Sequence, residues 1–463
     1  MSTTKRPLNI SREDTRRPDK ATLCFYAGGA LFLIILAGLI LYNSGAFQRR
    51  AVAITSDGVD YSVSDVAFYY YNTKSNIIDQ GAVDGSLPLN EQEYTDSDEF
   101  DTWYDYVLHQ STQALVSVKQ IAKEASEAGF DGGAEVNERV STELEQIKSA
   151  ASANGYSESD YISLVYGKLA DKNTVERNIR ENFLAETYSN AKFDGTAYTA
   201  EDLEAEYAKN PIEYQEAAFE AVIFLDSKFA PQETSPDATV ASSTIDATEA
   251  AQDALTRYRA GESLKELALE YDCEYSNTTT PHGEGTPFLE WIFHETHEVG
   301  DAEVLDYEDA TGMETGKMLV VYHGVSRPEY HTVNVRHILV DDEETAHDIL
   351  SKYLEGEQTE DAFASLATEN SRDNPVGGGL YENVYKGQMV KEFEDWCFSP
   401  ERKAGETGIV KSDFGFHVMY FVGQNPLEFW ASQVANAMAQ TWYHDVNSEH
   451  DIEYREGLRY IVP

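Results

Sequence analysis

His337 and His417 lie inside two short runs of β-branched and aromatic residues, HTVNVRHILV and FHVMYFV, the composition of strands. Between them come Asp373 in the turn SRDN, a glycine cluster leading into Leu380, and the pair Met389 and Phe393. Four residues apart on a helix, Met389 and Phe393 present one apolar face. Leu380 and Phe414 are candidate walls for the same slot, and Ser412 precedes the second histidine run. Such a site can work without a covalent step. It binds a distorted group better than the relaxed one and excludes water. Two histidines in apolar strands are also what satisfied core residues look like, so their first expected task is to hold the site's shape.

Several elements must position these residues. Glu329 to Gly423 reads as a strand with His337, a helical stretch, the acidic turn, the glycines, a short helix and a closing strand with His417. This order resembles the catalytic domain of parvulin-type peptidyl-prolyl isomerases. The resemblance implies that His337 and His417 pair across the centre of a sheet and that Ser412 is linked to them. It implies that Asp373 faces the twisting carbonyl and that Met389 and Phe393 form the proline pocket. The reaction implied is rotation about Xaa-Pro bonds, whose barrier is about 18–20 kcal/mol and whose uncatalysed crossing takes tens of seconds. Neither metal nor organic cofactor is expected.

Two departures from the family pattern stand out. The glycine segment reads Gly378-Gly379-Leu380-Tyr381 where the family has Gly-Gly-Asp-Leu-Gly, and one extra residue precedes Met389. Asp341, Asp342, Glu343 and Glu344 follow the first histidine strand. Family members that read a phosphorylated residue before proline carry basic side chains there to pair the phosphate, so phosphate selectivity is not expected.

The middle of the chain repeats this pattern. Glu213-Tyr214 and Val222-Ile223 match Glu329-Tyr330 and Ile338-Leu339 at an offset of 116. FLEWIF (288–293) matches FEDWCF (393–398), and Val299-Gly300-Asp301 matches Ala404-Gly405-Glu406, both at 105. MLVVYHG (318–324) matches HVMYFVG (417–423) at 99. Extra residues are expected at the polar stretch 231–248. On this alignment Ala221 stands for His337 and Met318 for His417. The first copy is therefore expected to keep the scaffold and lack the chemistry.

Composition narrows the partners. A formal charge of −47, from 35 basic and 82 acidic residues, lacks the basic footprint of a nucleic-acid binder. Between Lys20 and Arg49 run 28 uncharged residues, enough to span a bilayer. Six basic residues from Lys5 to Lys20 precede this run and Arg49 and Arg50 follow it, which places the N-terminus in the cytoplasm. A cleaved signal peptide is the competing reading. Three cysteines, one of them in this apolar run, make no disulfide scaffold. The HETH at 294–297 has i, i+3 histidines, where a zinc helix needs i, i+4.

The expected fold class is α+β. A cytoplasmic tail (1–20) and a transmembrane helix (21–42) precede a helical region (43–210) that resembles the chaperone region of PrsA/SurA-type foldases. A degenerate parvulin-like domain (211–327), a catalytic one (328–424) and a C-terminal segment (425–463) packing back on the helical region follow. Unfolded exported polypeptides are the implied clients, membrane lipid the implied surface, and a homodimer is left open. A non-catalytic holdase that uses both copies as scaffolds is the alternative.

Overall fold

The computed structural model describes Phe32 and residues 45–229, 245–283, 285–294, 296–309, 311–373 and 377–463. The apolar run expected to cross a membrane, 21–42, lies outside these apart from Phe32. Among the described residues no helix is long and apolar enough to cross a bilayer. The architecture is mixed helix and antiparallel sheet, divided into two units: residues 1–190 with 442–463, and residues 191–441.

In the first unit, α1 (Ala46–Arg50) leads into β1 (Val52–Ser56) and β2 (Val59–Ser62). They turn at Asp57-Gly58, where φ is 49° and 75°, as the tight twisted hairpin turn requires. Strand β11 (Ile452–Tyr454) completes a sheet of order β11–β1–β2. Helices α2 (Val63–Asp79), α3 (Trp103–Glu127), α4 (Gly133–Ala153), α5 (Glu158–Val165) and α6 (Lys172–Phe193) share one hydrophobic core with it. The stripe Val136, Val140, Ile147, Ala151 is buried, and Ser157 caps α5 by accepting from the Asp160 amide. Of the C-terminal segment only 442–463 falls in this unit, because a helix that begins at Phe429 carries the chain there.

The second unit opens with α7 (Ala200–Tyr207), held at its start by a capping box between Thr199 and Asp202. Two four-stranded antiparallel sheets follow. The first has β3 (Glu216–Leu225), α8 (Asp226–Phe229), α9 (Ala247–Arg259), α10 (Leu264–Glu270), β4 (Glu274–Pro281), α11 (Pro287–Ile292), β5 (Ala302–Glu308) and β6 (Thr315–Ser326). The second has β7 (His331–Val340), α12 (Glu343–Glu355), α13 (Glu360–Asn370), β8 (Leu380–Val384), α14 (Lys391–Cys397), β9 (Thr407–Ser412) and β10 (Gly415–Glu428), and α15 (Phe429–Val446) ends it.

Both sheets have the same strand order, β4–β3–β6–β5 and β8–β7–β10–β9. Their registers coincide residue by residue under the offsets read from the sequence. Ala221 opposes Val320 as His337 opposes Met419, and Ile223 opposes Met318 as Leu339 opposes His417. Ala302 opposes Val321 as Thr407 opposes Tyr420. The corner before the outer strand is also shared. Gly300 donates to the Tyr322 carbonyl at 2.8 Å, and Gly405 to Phe421 at 2.8 Å. The extra length of the first copy is not confined to 231–248. Part of it lengthens the β5–β6 hairpin, whose strands end at Glu308 and resume at Thr315 where the counterparts end at Ser412 and resume at Gly415.

Candidate active site

His337 and His417 are neighbours on one face of the second sheet, diagonal across the central β7–β10 pair. Their exposure is 4% and 5%. A buried imidazole needs partners for both nitrogens, and both have them. The two Nδ1 atoms lie 3.3 Å apart, His417 Nε2 is 2.7 Å from Ser412 Oγ, and His337 Nε2 is 3.2 Å from Asp373 Oδ2.

One arrangement of protons satisfies this row. A carboxylate only accepts, so His337 carries its proton on Nε2 and points it at Asp373. Its Nδ1 must then accept from His417 Nδ1–H, and His417 Nε2 accepts from the Ser412 hydroxyl. Two neutral imidazoles are required, and burial provides them. Desolvation, with the neighbouring His417, pushes His337 down to about 4 despite Asp373. Desolvation likewise lowers His417. At neutral pH both imidazoles are therefore uncharged, and neither is a ready proton donor.

The turn that carries Asp373 is tied to β7. Arg372 N donates to the Leu339 carbonyl at 2.9 Å and Leu339 N to Ser371 Oγ at 3.1 Å. Three successive glycines, 377–379, all take positive φ. At Gly379 a side chain is excluded, since a Cβ would stand 2.3 Å from the His337 carbonyl oxygen. The close approach lets His337 N donate to Gly379 O at 2.9 Å. Of the acidic run after β7, Asp342 caps α12 by accepting from Thr345 N, and Asp341 pairs with Arg372.

Beside the row lies an apolar cluster. Phe393 on α14 is 2% exposed, with its ring edge-on to His337 at 5.4 Å and to His417 at 5.7 Å. Met389 packs on the same cluster with Val335, Val384 and Met419. Cys397 is buried there, and desolvation pushes its thiol up to about 12, leaving it a small apolar filler.

Two expected slot residues are placed elsewhere. Leu380 opposes Arg336, so by strand alternation it faces away from the histidines. Phe414 is 65% exposed on the β9–β10 turn; it meets the row only through its backbone, N donating to Ser412 Oγ at 3.2 Å. The sequence reading missed Tyr381 and Met419. Tyr381 opposes Val335, meets His337 at 4.9 Å and donates from Oη to Asp373 Oδ2 at 2.9 Å. Met419 opposes His337 and is fully buried. Two-residue alternation from His417 would have found Met419; Tyr381 needed the register.

The same place in the first sheet is apolar. Ala221, Met318 and Val320 form a buried cluster with Ile292, onto which Phe288, Trp291 and Tyr307 pack. Tyr307 occupies the position of Ser412.

Residues 319–424 match the family model described as the PPIC-type PPIASE domain. Foldase protein PrsA 1 of Listeria monocytogenes is 35% identical over 134 residues, 28% of this chain and 43% of the relative. Foldase protein PrsA of Caldanaerobacter subterraneus is 38% identical over 109 residues, 23% of this chain and 33% of that one. The chain thus spans less than half the length of the curated relatives it matches. Among solved structures, a peptidylprolyl isomerase (PrsA) from Bacillus anthracis aligns at 24% identity with a TM-score of 0.20, over 29% of this chain and 58% of that one; at that score the likeness carries no argument. The match to the PPIC-type PPIASE model covers the second sheet and its surroundings, and the chain that carries it is similar over part of its length to PrsA foldases.

Proposed function

We propose that this protein is a peptidyl-prolyl cis–trans isomerase that assists the folding of exported proteins outside the cytoplasmic membrane. The observation that carries the reading is the neutral row Ser412–His417–His337–Asp373 set against the slot of Phe393 and Met389. The slot takes the pyrrolidine ring. Asp373 faces the prolyl carbonyl, where a fixed negative charge disfavours the planar amide, whose oxygen is the more negative, relative to the twisted one. The histidines and Ser412 hold that carboxylate in place rather than exchange protons with the substrate. The apolar run at 21–42 is read as an uncleaved single-pass anchor with the cytoplasm on its N-terminal side.

The first sheet is read as a degenerate copy that serves as scaffold or client-binding surface. It favours a second reading, a holdase, for that lobe alone, since Ala221, Met318 and Tyr307 leave no polar row there. The test is a prolyl-peptide isomerisation assay on the full chain in detergent, with Asp373→Ala alongside. Turnover that Asp373→Ala abolishes supports the enzyme. Suppression of client aggregation with no effect on proline-limited refolding leaves a holdase and sinks it.

A further inference from the structure

Two donors converge on one oxygen of Asp373, and the proposed reaction has so far used only one of them. His337 Nε2 stands 3.2 Å from Oδ2, and Tyr381 Oη donates to that same Oδ2 at 2.9 Å. Tyr381 is well placed to be a fixed donor. Its backbone is locked by pairing with Val335, and its ring meets His337 edge-on with planes 70° apart. Burial and the adjoining carboxylate push its phenol up to about 12, so it keeps its proton throughout the working range.

We infer that Tyr381 is a positioning residue for the isomerisation. Its hydroxyl pins the Asp373 carboxylate in the orientation that receives His337 Nε2–H, and so dictates which way every proton in the row points. The inference rests on the reading of this site as a prolyl isomerase. If the phenol is removed, the carboxylate can turn away, and His337 Nε2 loses its fixed acceptor. The symmetric Nδ1–Nδ1 contact then no longer has a preferred donor, and the two imidazoles exchange tautomers.

The test uses the full chain in detergent with ring-15N histidine, comparing the wild type with Tyr381→Phe, which keeps the ring that packs on His337. In the wild type the ring signals should show a proton on Nε2 of His337 and on Nδ1 of His417. In Tyr381→Phe they should move to averaged tautomers, while kcat falls about tenfold, as expected for a lost hydrogen bond to a charged group, and KM stays put. Unchanged ring signals overturn the inference whatever the rate does. Adding Tyr381→Phe to Asp373→Asn should move the ring signals no further, and a further shift also overturns it. A wild type with fixed tautomers but no turnover sinks the proposed reaction and leaves the role of Tyr381 in the row standing.

Discussion

The two lobes of the second unit share strand order, register and the hydrogen bonds of a glycine corner, yet they differ at the centre of the sheet. Where one lobe has His337, His417 and Ser412 joined through buried hydrogen bonds, the other has Ala221, Met318 and Tyr307 in an apolar cluster. Backbone pairing and the outer apolar residues suffice to build the sheet. The polar row is thus an addition to the scaffold, and removing buried polar groups together is structurally tolerable in a way that removing one is not.

This contrast can be broken in several ways. The largest expected effect is Phe393→Ala. A nearly fully buried phenylalanine should take about 3–5 kcal/mol with it from the β7–β10 amides, read by hydrogen exchange. Phe288→Ala, at the partly buried counterpart, should take less than half of that from β3–β6. Equal losses would mean that the two slots are energetically alike.

The second effect is acid sensitivity. His337 is held near 4 in the folded state against about 6.5 for a free histidine. Its neutral form is favoured by folding, so its contribution is whole above pH 6.5 and is lost as pH falls toward 4. That is on the order of 3 kcal/mol. Exchange protection of β7–β10 should fall across this window before that of β3–β6; a simultaneous fall would count against the buried neutral pair.

A smaller loss is expected from Gly379→Ala, where positive φ and the His337 carbonyl both oppose a Cβ. Strain of about 1–3 kcal/mol should appear as a lowered melting temperature together with lost isomerase turnover, because the displaced strand carries His337. The smallest effect concerns matched stacking partners. Arg402 lies over Trp396 at 3.9 Å and His297 over Trp291 at 4.3 Å. Arg402→Ala should cost about 0.5–1 kcal/mol and His297→Ala less, measured by denaturant unfolding; the reverse order would show that the guanidinium is not the better partner for the indole.

Much of this was legible in the sequence, for identifiable reasons. The histidine strands announce themselves by β-branched composition, and the repeat by ordered aromatic and glycine landmarks. The register was not legible, and it decided the wall of the slot. On β8, Tyr381 opposes Val335 while Val384 opposes Val333. The strand bulges there, with Asn383 at φ 57°, and simple alternation cannot be carried through a bulge. Composition alone therefore could not tell that Tyr381, and not Leu380, shares a face with His337. The extended β5–β6 hairpin was legible as the drop in offset from 105 to 99 between the landmarks either side of it, although the expectation put the extra residues at 231–248 alone.

Ser412 Oγ also has a practical consequence. The oxygen accepts from the Phe414 amide and donates to His417 Nε2. A group that lies at the solvent-facing turn thus shares an atom with the sealed interior. The amide resonance of Phe414 is therefore a natural spectroscopic gauge of that interior. It can be followed while peptide is titrated in, without a label or a substitution anywhere in the site.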